Sequence, residues 1–188
     1  MVGIVGPLSP RATRRRHVPA CRTRISPQRS AVVCCRAVNG TDPIVVAVEV
    51  PVPPGRAFAA FASGLAGWWP AATHSLSRQA ASRCSLDPQP GGALEEITPE
   101  GTRHRWGTVE AVDAGRRLRF SWHPGREAES AQWVEVKFEA VAAGCRVTLT
   151  HGGWEALGEI APILRREYAA GWPAVLGENY ARFAAARP

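Results

Sequence analysis

Four histidines lie beyond residue 40, and histidine is the side chain best suited to move protons or bind metals near neutral pH. They are His74, His104, His123 and His151. Their spacing contains no His-Glu-x-x-His or Cys-x-x-Cys pattern, so it does not indicate a metal site. We expect His74 and His151 to be candidates for hydrogen bonding a ligand, with a structural role as the alternative for each. His123 shares a strand face with arginines, and we expect it to be solvated.

The residue pattern gives no support for nucleophilic catalysis. It contains no Gly-x-Ser-x-Gly elbow and no phosphate-binding glycine loop. The acidic residues alternate along predicted strands as they would on a solvated face, which does not indicate a paired acid and base. These are Glu95, Glu96, Glu110, Glu135 and Glu139. Arg103 and Arg105 are candidates for contacting an anionic group, with a charged outer face as the alternative. We therefore predict no catalytic residue, metal or cofactor, and we leave enzyme activity open.

Tryptophan is the most unusual part of the composition, with seven in 188 residues. A Trp side chain combines a large apolar ring with one N–H donor, so it suits either a packed core or the wall of a ligand site. Trp133 shares a strand face with Glu135 and Lys137, and we expect it to point away from the other aromatic rings. Those rings fall on predicted strands and on the last helix: Trp106, Phe120, Trp122, Phe138, Tyr168 and Trp172.

The positive charge of the chain is concentrated in its first 40 residues. They carry eight of the 23 basic residues and no acid, which leaves 15 basic and 16 acidic residues in 41–188, a net charge of −1. Nucleic-acid binding needs clustered positive charge on the folded part, and membrane attachment needs a basic amphipathic helix. We therefore expect neither nucleic-acid binding nor stable membrane insertion.

Residues 1–40 have the Arg-rich, acid-free composition of an organellar transit peptide, and we predict a disordered leader there. The predicted destination is the chloroplast, with the mitochondrion as the alternative, and a cytoplasmic location if this segment is an overcalled start. Residues 41–188 are long enough for one domain with its own core. Of five cysteines only Cys84 and Cys145 lie in that domain, and we expect both to be buried thiols.

Hydrophobic periodicity predicts the elements that would position these residues. Alternation indicates a strand over 44–50, and apolar spacing indicates a short helix over 56–65 that ends before Pro70. A long helix is predicted from about 157 to 186, with a kink or break at Pro173. Six further strands are predicted at 80–87, 93–98, 102–112, 116–123, 132–141 and 145–151.

These elements, in this order, predict an α+β fold in which the long helix lies across the concave face of a one-sided antiparallel sheet. Several motifs are relevant to its identity: Trp68-Trp69, Pro90-Gly91-Gly92, Gly107-x-Val109-Glu110-x-Val112, Arg116-Arg117-Leu118-x-Phe120-x-Trp122, Arg146-Val147-Thr148-Leu149-Thr150-His151 and Gly171-Trp172-Pro173-x-Val175-Leu176. In this order the residues resemble the SRPBCC, or START-like, helix-grip superfamily. Within it they are most similar to homologues of activators of the heat-shock-ninety chaperone ATPase.

The resemblance implies a curved antiparallel sheet of about six to seven strands wrapped on the long C-terminal helix, with a short helical segment after the first strand. It also implies a cavity between helix and sheet, with Trp68 and Trp69 at its mouth. The expected function is non-enzymatic binding, as carrier or sensor, of a small hydrophobic or aromatic molecule. Alternatives are a cyclase-, aromatase- or hydrolase-like enzyme using the same cavity, and a chaperone-associated stress-response module with a chaperone as partner. The expected ligand-binding residues are Trp68, Trp69, His74, Trp106, Phe120, Trp122, Val136, Phe138, His151, Tyr168 and Trp172.

Overall fold

The computed structural model of the protein describes residues 41–186. The leader predicted for residues 1–40 lies outside the described residues. Within 41–186 the chain forms one seven-stranded antiparallel sheet in the order β1-β7-β6-β5-β4-β3-β2. The predicted α+β class, strand number and C-terminal helix are confirmed. The strands are β1 (Ile44–Val50), β2 (Arg83–Leu86), β3 (Ala93–Ile97), β4 (Arg103–Asp113), β5 (Arg117–Trp122), β6 (Gln132–Val141) and β7 (Gly144–Gly152).

The first and last strands of the chain are neighbours in the sheet. β1 pairs with β7 along its whole length, from Ile44 opposite His151 to Val50 opposite Cys145. Burial along β6 alternates, because Val134 and Val136 face the core while Trp133 faces outward. The guanidinium of Arg119 lies 4.4 Å from the centre of the Trp133 ring on that outer face. The two faces of the sheet thus differ as the alternation predicts.

Three short helices follow β1: α1 (Pro54–Ala62), α2 (Leu65–Trp68) and α3 (Ala71–His74). Proline at the start of α1 is tolerated because the first N–H groups of a helix have no intrahelical acceptor. The predicted helix of 56–65 ends early, at Ala62, and Gly64 separates α1 from α2. Phe183 packs against Gly64 and against Gly67 of α2. A Cβ atom would lie 2.6 Å from the Phe183 ring at Gly64 and 2.5 Å from it at Gly67. The break between helices therefore permits a close approach of the C-terminal helix.

The C-terminal helix begins later than predicted. A 3₁₀ segment (Trp154–Ile160) contains Gly158 at φ 54° and ψ −130°, and this non-helical backbone delays the regular helix α4 (Ala161–Trp172). At Pro173 the hydrogen bonding changes to π-helical over Pro173–Tyr180, followed by α5 (Ala181–Ala185). The predicted disruption at Pro173 is confirmed, since proline lacks the N–H that an α-helix would use. None of the helices within 41–186 is long and apolar enough to cross a membrane.

The space between sheet and helix is filled at one end. Phe61, Trp68 and Tyr180 pack with ring centres 5.1 to 5.5 Å apart, and Phe138 lies 5.9 Å from Phe61. The Tyr180 hydroxyl donates a hydrogen bond to the Ala57 carbonyl oxygen at 2.9 Å. This end of the helix is therefore tied to α1 by both packing and hydrogen bonding. The opposite end, beside α4, is hollow.

Candidate ligand-binding cavity

A cavity of about 480 Å³ lies between α4, the middle strands of the sheet and the segment after α2. Its deep wall comes from β4, β5 and α4. Its mouth is formed by residues 73–78, which we call the mouth segment and which is largely exposed. The lining residues are Trp69, Thr73, His74, Ser75, Leu76, Arg78, Trp106, Trp122, Pro124, Leu164, Glu167, Tyr168, Gly171, Trp172 and Val175.

Five aromatic side chains form most of the deep wall. The Trp122 ring lies at their centre, 5.8 Å from Trp106, 5.6 Å from Trp172 and 6.2 Å from Tyr168 between ring centres. Trp69 closes the group from the mouth side, 5.3 Å from Trp106 and 5.9 Å from Trp122. Such contacts suit the edge and face preferences of aromatic rings, and they leave flat apolar surfaces toward the cavity.

A bulge in β4 brings Trp106 into this wall. Leu94 of β3 pairs with Gly107 while Glu95 pairs with Arg105, so Trp106 has no opposite residue. Trp106 and Gly107 are both buried, which breaks the alternation of the strand. A side chain at Gly107 would collide with the carbonyl oxygen of Ser121 on β5. Only glycine at position 107 permits this approach of the two strands.

Some indole N–H groups of the wall have a hydrogen-bond acceptor in the protein, and others have none. Trp69 donates to the His74 carbonyl oxygen at 2.6 Å, and Trp172 donates to Nδ1 of His151 at 3.0 Å. The Nε1 atoms of Trp106 and Trp122 are covered from solvent and have no hydrogen-bond partner among residues 41–186. A buried donor without an acceptor costs free energy, so these two groups call for an explanation, as do Nε2 of His151 and Nε of Arg126, which are also buried without a partner among residues 41–186.

His151 lies behind the cavity wall rather than in it. Because an indole N–H can only donate, Nδ1 of His151 must accept from Trp172, and the neutral ring carries its proton on Nε2. Burial, and secondarily the positive charge of Arg126, lower the pKa of His151 to about 3. The ring also packs against Trp154 and Tyr168, with centres 4.2 and 4.9 Å away. His151 therefore acts as a neutral support that orients Trp172 and Tyr168.

Glu96 corrects the prediction that the acidic residues of the strands form a solvated face. It is fully buried, and it accepts hydrogen bonds from the N–H of Leu76 at 2.8 Å, the N–H of Ser77 at 3.2 Å and the Ser77 hydroxyl. Desolvation raises the pKa of Glu96, but these hydrogen bonds outweigh it and hold the pKa below its ordinary value. Glu96 lies on the inward face of β3 together with Leu94. The two-residue spacing from Leu94 indicates this inward position, but the charge of Glu96 favoured a position in solvent.

His123 is a second correction, because it is buried rather than solvated. β5 ends at Trp122, so the alternation that placed His123 beside the arginines does not extend to it. Its Nδ1 lies 2.9 Å from the Arg126 carbonyl oxygen. Arg103, by contrast, pairs with Glu95 on the outer face, which agrees with the interpretation of Arg103 as part of a charged outer face.

The two cysteines of the described range are both buried and free, as predicted. Burial, and secondarily the charge of Glu96, raise the pKa of the Cys84 thiol to about 12. Among residues 41–186, no three His, Cys, Asp or Glu side chains are grouped as a metal ion would require.

The structure divides the eleven predicted ligand-binding residues into two sets. Trp68 donates to the carbonyl oxygens of Ala60 and Phe61 in the packed core, and His151 supports the wall from behind. Phe120, Val136 and Phe138 also belong to the core. Six of the eleven line the cavity: Trp69, His74, Trp106, Trp122, Tyr168 and Trp172.

Nine lining residues were not predicted. On the helix, Leu164, Gly171 and Val175 continue the three- and four-residue spacing of Tyr168, so periodicity could have found them. The mouth segment has no such signal, because Glu96 positions it through long-range hydrogen bonds. The missed residues are Thr73, Ser75, Leu76, Arg78, Pro124, Leu164, Glu167, Gly171 and Val175.

A seven-stranded antiparallel sheet that holds a long C-terminal helix, with a cavity between them, defines a helix-grip protein of the SRPBCC superfamily. The family model for "Activator of Hsp90 ATPase homolog 1-like protein" matches residues 51–182, and the chain belongs to that family. The resemblance noted from the sequence motifs is therefore confirmed. Comparison with curated proteins gave no significant match.

Solved structures with the same fold include proteins of several sources. A protein from Nitrosomonas europaea superposes with a TM-score of 0.57 at 16% identity, covering 81% of this chain and 100% of its own. A protein from Bacillus halodurans gives 0.55 at 18% identity, with 76% and 96% covered. An anthrahydroquino-gamma-pyrone synthase, Txn09, gives 0.52 at 26% identity, with 78% and 98% covered.

Proposed function

We propose that this protein binds a small hydrophobic, aromatic molecule in the cavity, as a carrier or sensor without catalysis. The observation that carries the proposal is the wall of five aromatic rings around about 480 Å³ at one end of the C-terminal helix. That volume falls within the range of small-molecule sites, which combine apolar walls with few polar groups. The packed opposite end fixes the helix, so the hollow is a property of the fold and not of a loose helix.

The energetics support a ligand of two or three rings. Such a molecule would bury roughly 300 Å² of apolar surface, worth about 7 kcal/mol at about 25 cal/mol per Å² before the cost of immobilisation. Micromolar affinity corresponds to about 8 kcal/mol, so apolar burial alone gives binding weaker than micromolar, and tighter binding needs polar interactions as well.

The distribution of charge favours an apolar ligand body. The lining side chains that can carry a charge near neutral pH are His74, Arg78 and Glu167, and all three are exposed. His151, the titratable group directly behind the wall, is neutral because burial lowers its pKa. A ligand would therefore place its apolar part inside and any charged substituent toward the mouth, where water remains.

The proposal is tested with two matched glycine variants on the C-terminal helix. At Gly171, which lines the cavity, a Cβ would lie 3.5 Å from His74, so Gly171→Leu adds bulk to the hollow without a forced clash. At Gly177, outside the lining, a Cβ would lie 3.8 Å from Val48, so Gly177→Leu is the control. Naphthalene and anthracene derivatives are titrated into each full-length protein and followed by thermal shift and tryptophan fluorescence.

Binding to the unmodified protein and to Gly177→Leu, with at least tenfold weaker binding to Gly171→Leu, is the expected result. Equal affinity of the two variants would mean that the ligand binds elsewhere, and no binding to any of the three proteins would contradict the proposal.

An enzyme of the cyclase, aromatase or hydrolase type is a second candidate, favoured by the similarity to a synthase of 26% identity and by Glu167 at the cavity. His151 is poorly suited to act as a base in such chemistry, because burial lowers its pKa to about 3 and its unprotonated nitrogen already accepts a hydrogen bond from Trp172. Turnover of a bound aromatic compound that Glu167→Gln abolishes would favour this candidate. Unchanged compound after prolonged incubation would count against it.

Contact with a chaperone is a third candidate, favoured by the description of the family model. Ile160 and Ile163 are 49% and 53% exposed at the start of α4, and an exposed apolar pair of this kind suits a protein contact. The test is whether the protein raises the ATPase rate of Hsp90. A rate unchanged by the protein would argue against chaperone contact. A rate raised equally by an Ile160→Ser, Ile163→Ser variant would argue against contact through these two residues.

A further inference from the structure

We infer that the ligand carries an uncharged acceptor oxygen, such as a ketone or quinone carbonyl, that receives the indole N–H groups of Trp106 and Trp122. This inference rests on the proposed function and adds the chemistry of the ligand. It starts from a contrast among the buried tryptophans. Those with an identified acceptor are Trp68, Trp69, Trp154 and Trp172.

The two unsatisfied donors lie side by side in the cavity wall. Trp106 and Trp122 are 1% and 3% exposed, and their Nε1 atoms have no partner within the described part of the chain. They stand on adjacent strands with ring centres 5.8 Å apart, which is within the span of one fused ring system. One ligand can therefore contact both side chains. A purely hydrocarbon ligand would leave both donors buried and unsatisfied.

Trp69 covers this pair from the mouth side. Its ring lies 5.3 Å from Trp106 and 5.9 Å from Trp122, and it is half-buried. Its own N–H donates to the His74 carbonyl within the same short stretch of chain. Trp69 and that stretch can thus shift together without losing the bond. Hydrogen bonding to a ligand requires such a shift, because the two indole nitrogens are covered from solvent in this structure.

The charge around the pair selects a neutral acceptor over a carboxylate. Indole N–H groups are uncharged donors, and the deep wall beside them consists of aromatic rings. His151, behind that wall, is neutral. Arg126 acts on His151 but does not line the cavity, and Arg78 is exposed at the mouth. A carboxylate placed between Trp106 and Trp122 would lose its hydration without a counter-charge, which costs far more than the desolvation of a ketone.

The test compares three naphthalenes of similar shape with the full-length protein: 2-acetylnaphthalene, 2-isopropylnaphthalene and 2-naphthoate. Equilibrium dialysis gives each dissociation constant without relying on tryptophan fluorescence. The variants are Trp106→Phe and Trp122→Phe, which keep a ring and remove the N–H. Trp133→Phe is the matched control, because it removes an indole N–H on the outer face of the sheet, away from the cavity.

The measured quantity is the preference for the ketone over the hydrocarbon in each protein, which is insensitive to a partial loss of folded material. The ketone is expected to bind about tenfold more tightly than the hydrocarbon to the unmodified protein. The preference should fall by about threefold to tenfold in Trp106→Phe and in Trp122→Phe and stay unchanged in Trp133→Phe. The naphthoate should bind more weakly than the ketone.

Two kinds of failure are distinguishable. If none of the three compounds binds, the proposed function itself is contradicted. If all bind but the ketone preference survives in both Trp106→Phe and Trp122→Phe, the function stands and the assignment of the acceptor is overturned. Binding of the naphthoate as tight as that of the ketone would overturn the claim that the acceptor is uncharged.

Discussion

Replacing Glu96 by glutamine is expected to destabilise the protein and loosen the mouth of the cavity. The Glu96 carboxylate accepts three hydrogen bonds, two of them from the backbone N–H groups of Leu76 and Ser77. Glutamine keeps one oxygen and presents an NH₂ group in place of the other, so one backbone donor would face another donor. Hydrogen bonds to a buried charge contribute about 1.5–3 kcal/mol each. Because the cost of burying the charge also disappears, we expect the free energy of unfolding to fall by about 2 kcal/mol.

Urea denaturation of Glu96→Gln and of Glu95→Gln provides the measurement and its control. Glu95 is the neighbouring residue, and it pairs with Arg103 at the surface, so its replacement should cost at most about 1 kcal/mol. Hydrogen exchange should increase in the mouth segment of Glu96→Gln but not in that of Glu95→Gln. Equal stabilities of the two variants, with equal exchange of the mouth segment, would refute the role assigned to Glu96.

The effect of Glu96 should depend on pH in a defined direction. Its pKa in the folded protein lies below the ordinary value of 4.5. As the pH falls, the unfolded chain therefore binds the proton first. The stabilisation is complete above the ordinary pKa and is lost as the pH falls through the lower folded value. The difference in stability between the unmodified protein and Glu96→Gln should thus shrink below about pH 4.

Three further predictions concern the bulge, the buried histidine and the first residues of the chain. Gly107→Ala should lower the free energy of unfolding by about 2–4 kcal/mol, because its methyl group meets the backbone of β5. Gly55→Ala, which adds a methyl group in open space on α1, should be neutral or stabilising in the same denaturation assay. Between about pH 6.5 and 3 the unfolded chain binds a proton at His151 that the buried neutral ring resists, so the unmodified protein should lose stability over this range in acid titrations. His151→Asn, whose side chain can still accept from Trp172, should abolish that loss. Residues 1–40 fused to a fluorescent protein should direct it to plastids in plant cells, and a mitochondrial or cytosolic signal would contradict the favoured destination.

Sequence patterns predicted the bounds of an element correctly where its hydrophobic residues follow a single period. β1 and β6 were predicted with the bounds that the structure has, because uninterrupted alternation marks both. The start of the last helix was misplaced because the backbone of Gly158 cannot be read from residue spacing. Motif order supplied the superfamily, which periodicity alone would not have done.

The candidate site was harder to predict because it depends on the direction of single side chains. Trp68 and Trp69 are adjacent, yet α2 ends between them and Trp69 has extended backbone, so one ring enters the core and the other the cavity. Phe138 was assigned to the cavity from its strand face, but that face also reaches the packed end of the helix. Glu96 was assigned to solvent from its charge. The sequence thus predicts the face of a strand or helix on which a residue lies better than it predicts the side chains that the residue contacts.

The central claim, that the hollow beside α4 receives an aromatic ligand, is tested most directly by following the indole N–H resonances in a ¹H–¹⁵N correlation spectrum. Each of the seven tryptophans contributes one such resonance. On saturation with 2-acetylnaphthalene, the signals of the cavity wall should shift, namely Trp69, Trp106, Trp122 and Trp172. Those of Trp68, Trp133 and Trp154 should stay near their free positions. Shifts confined to the second group, or a spectrum unchanged at saturating ketone, would contradict the account.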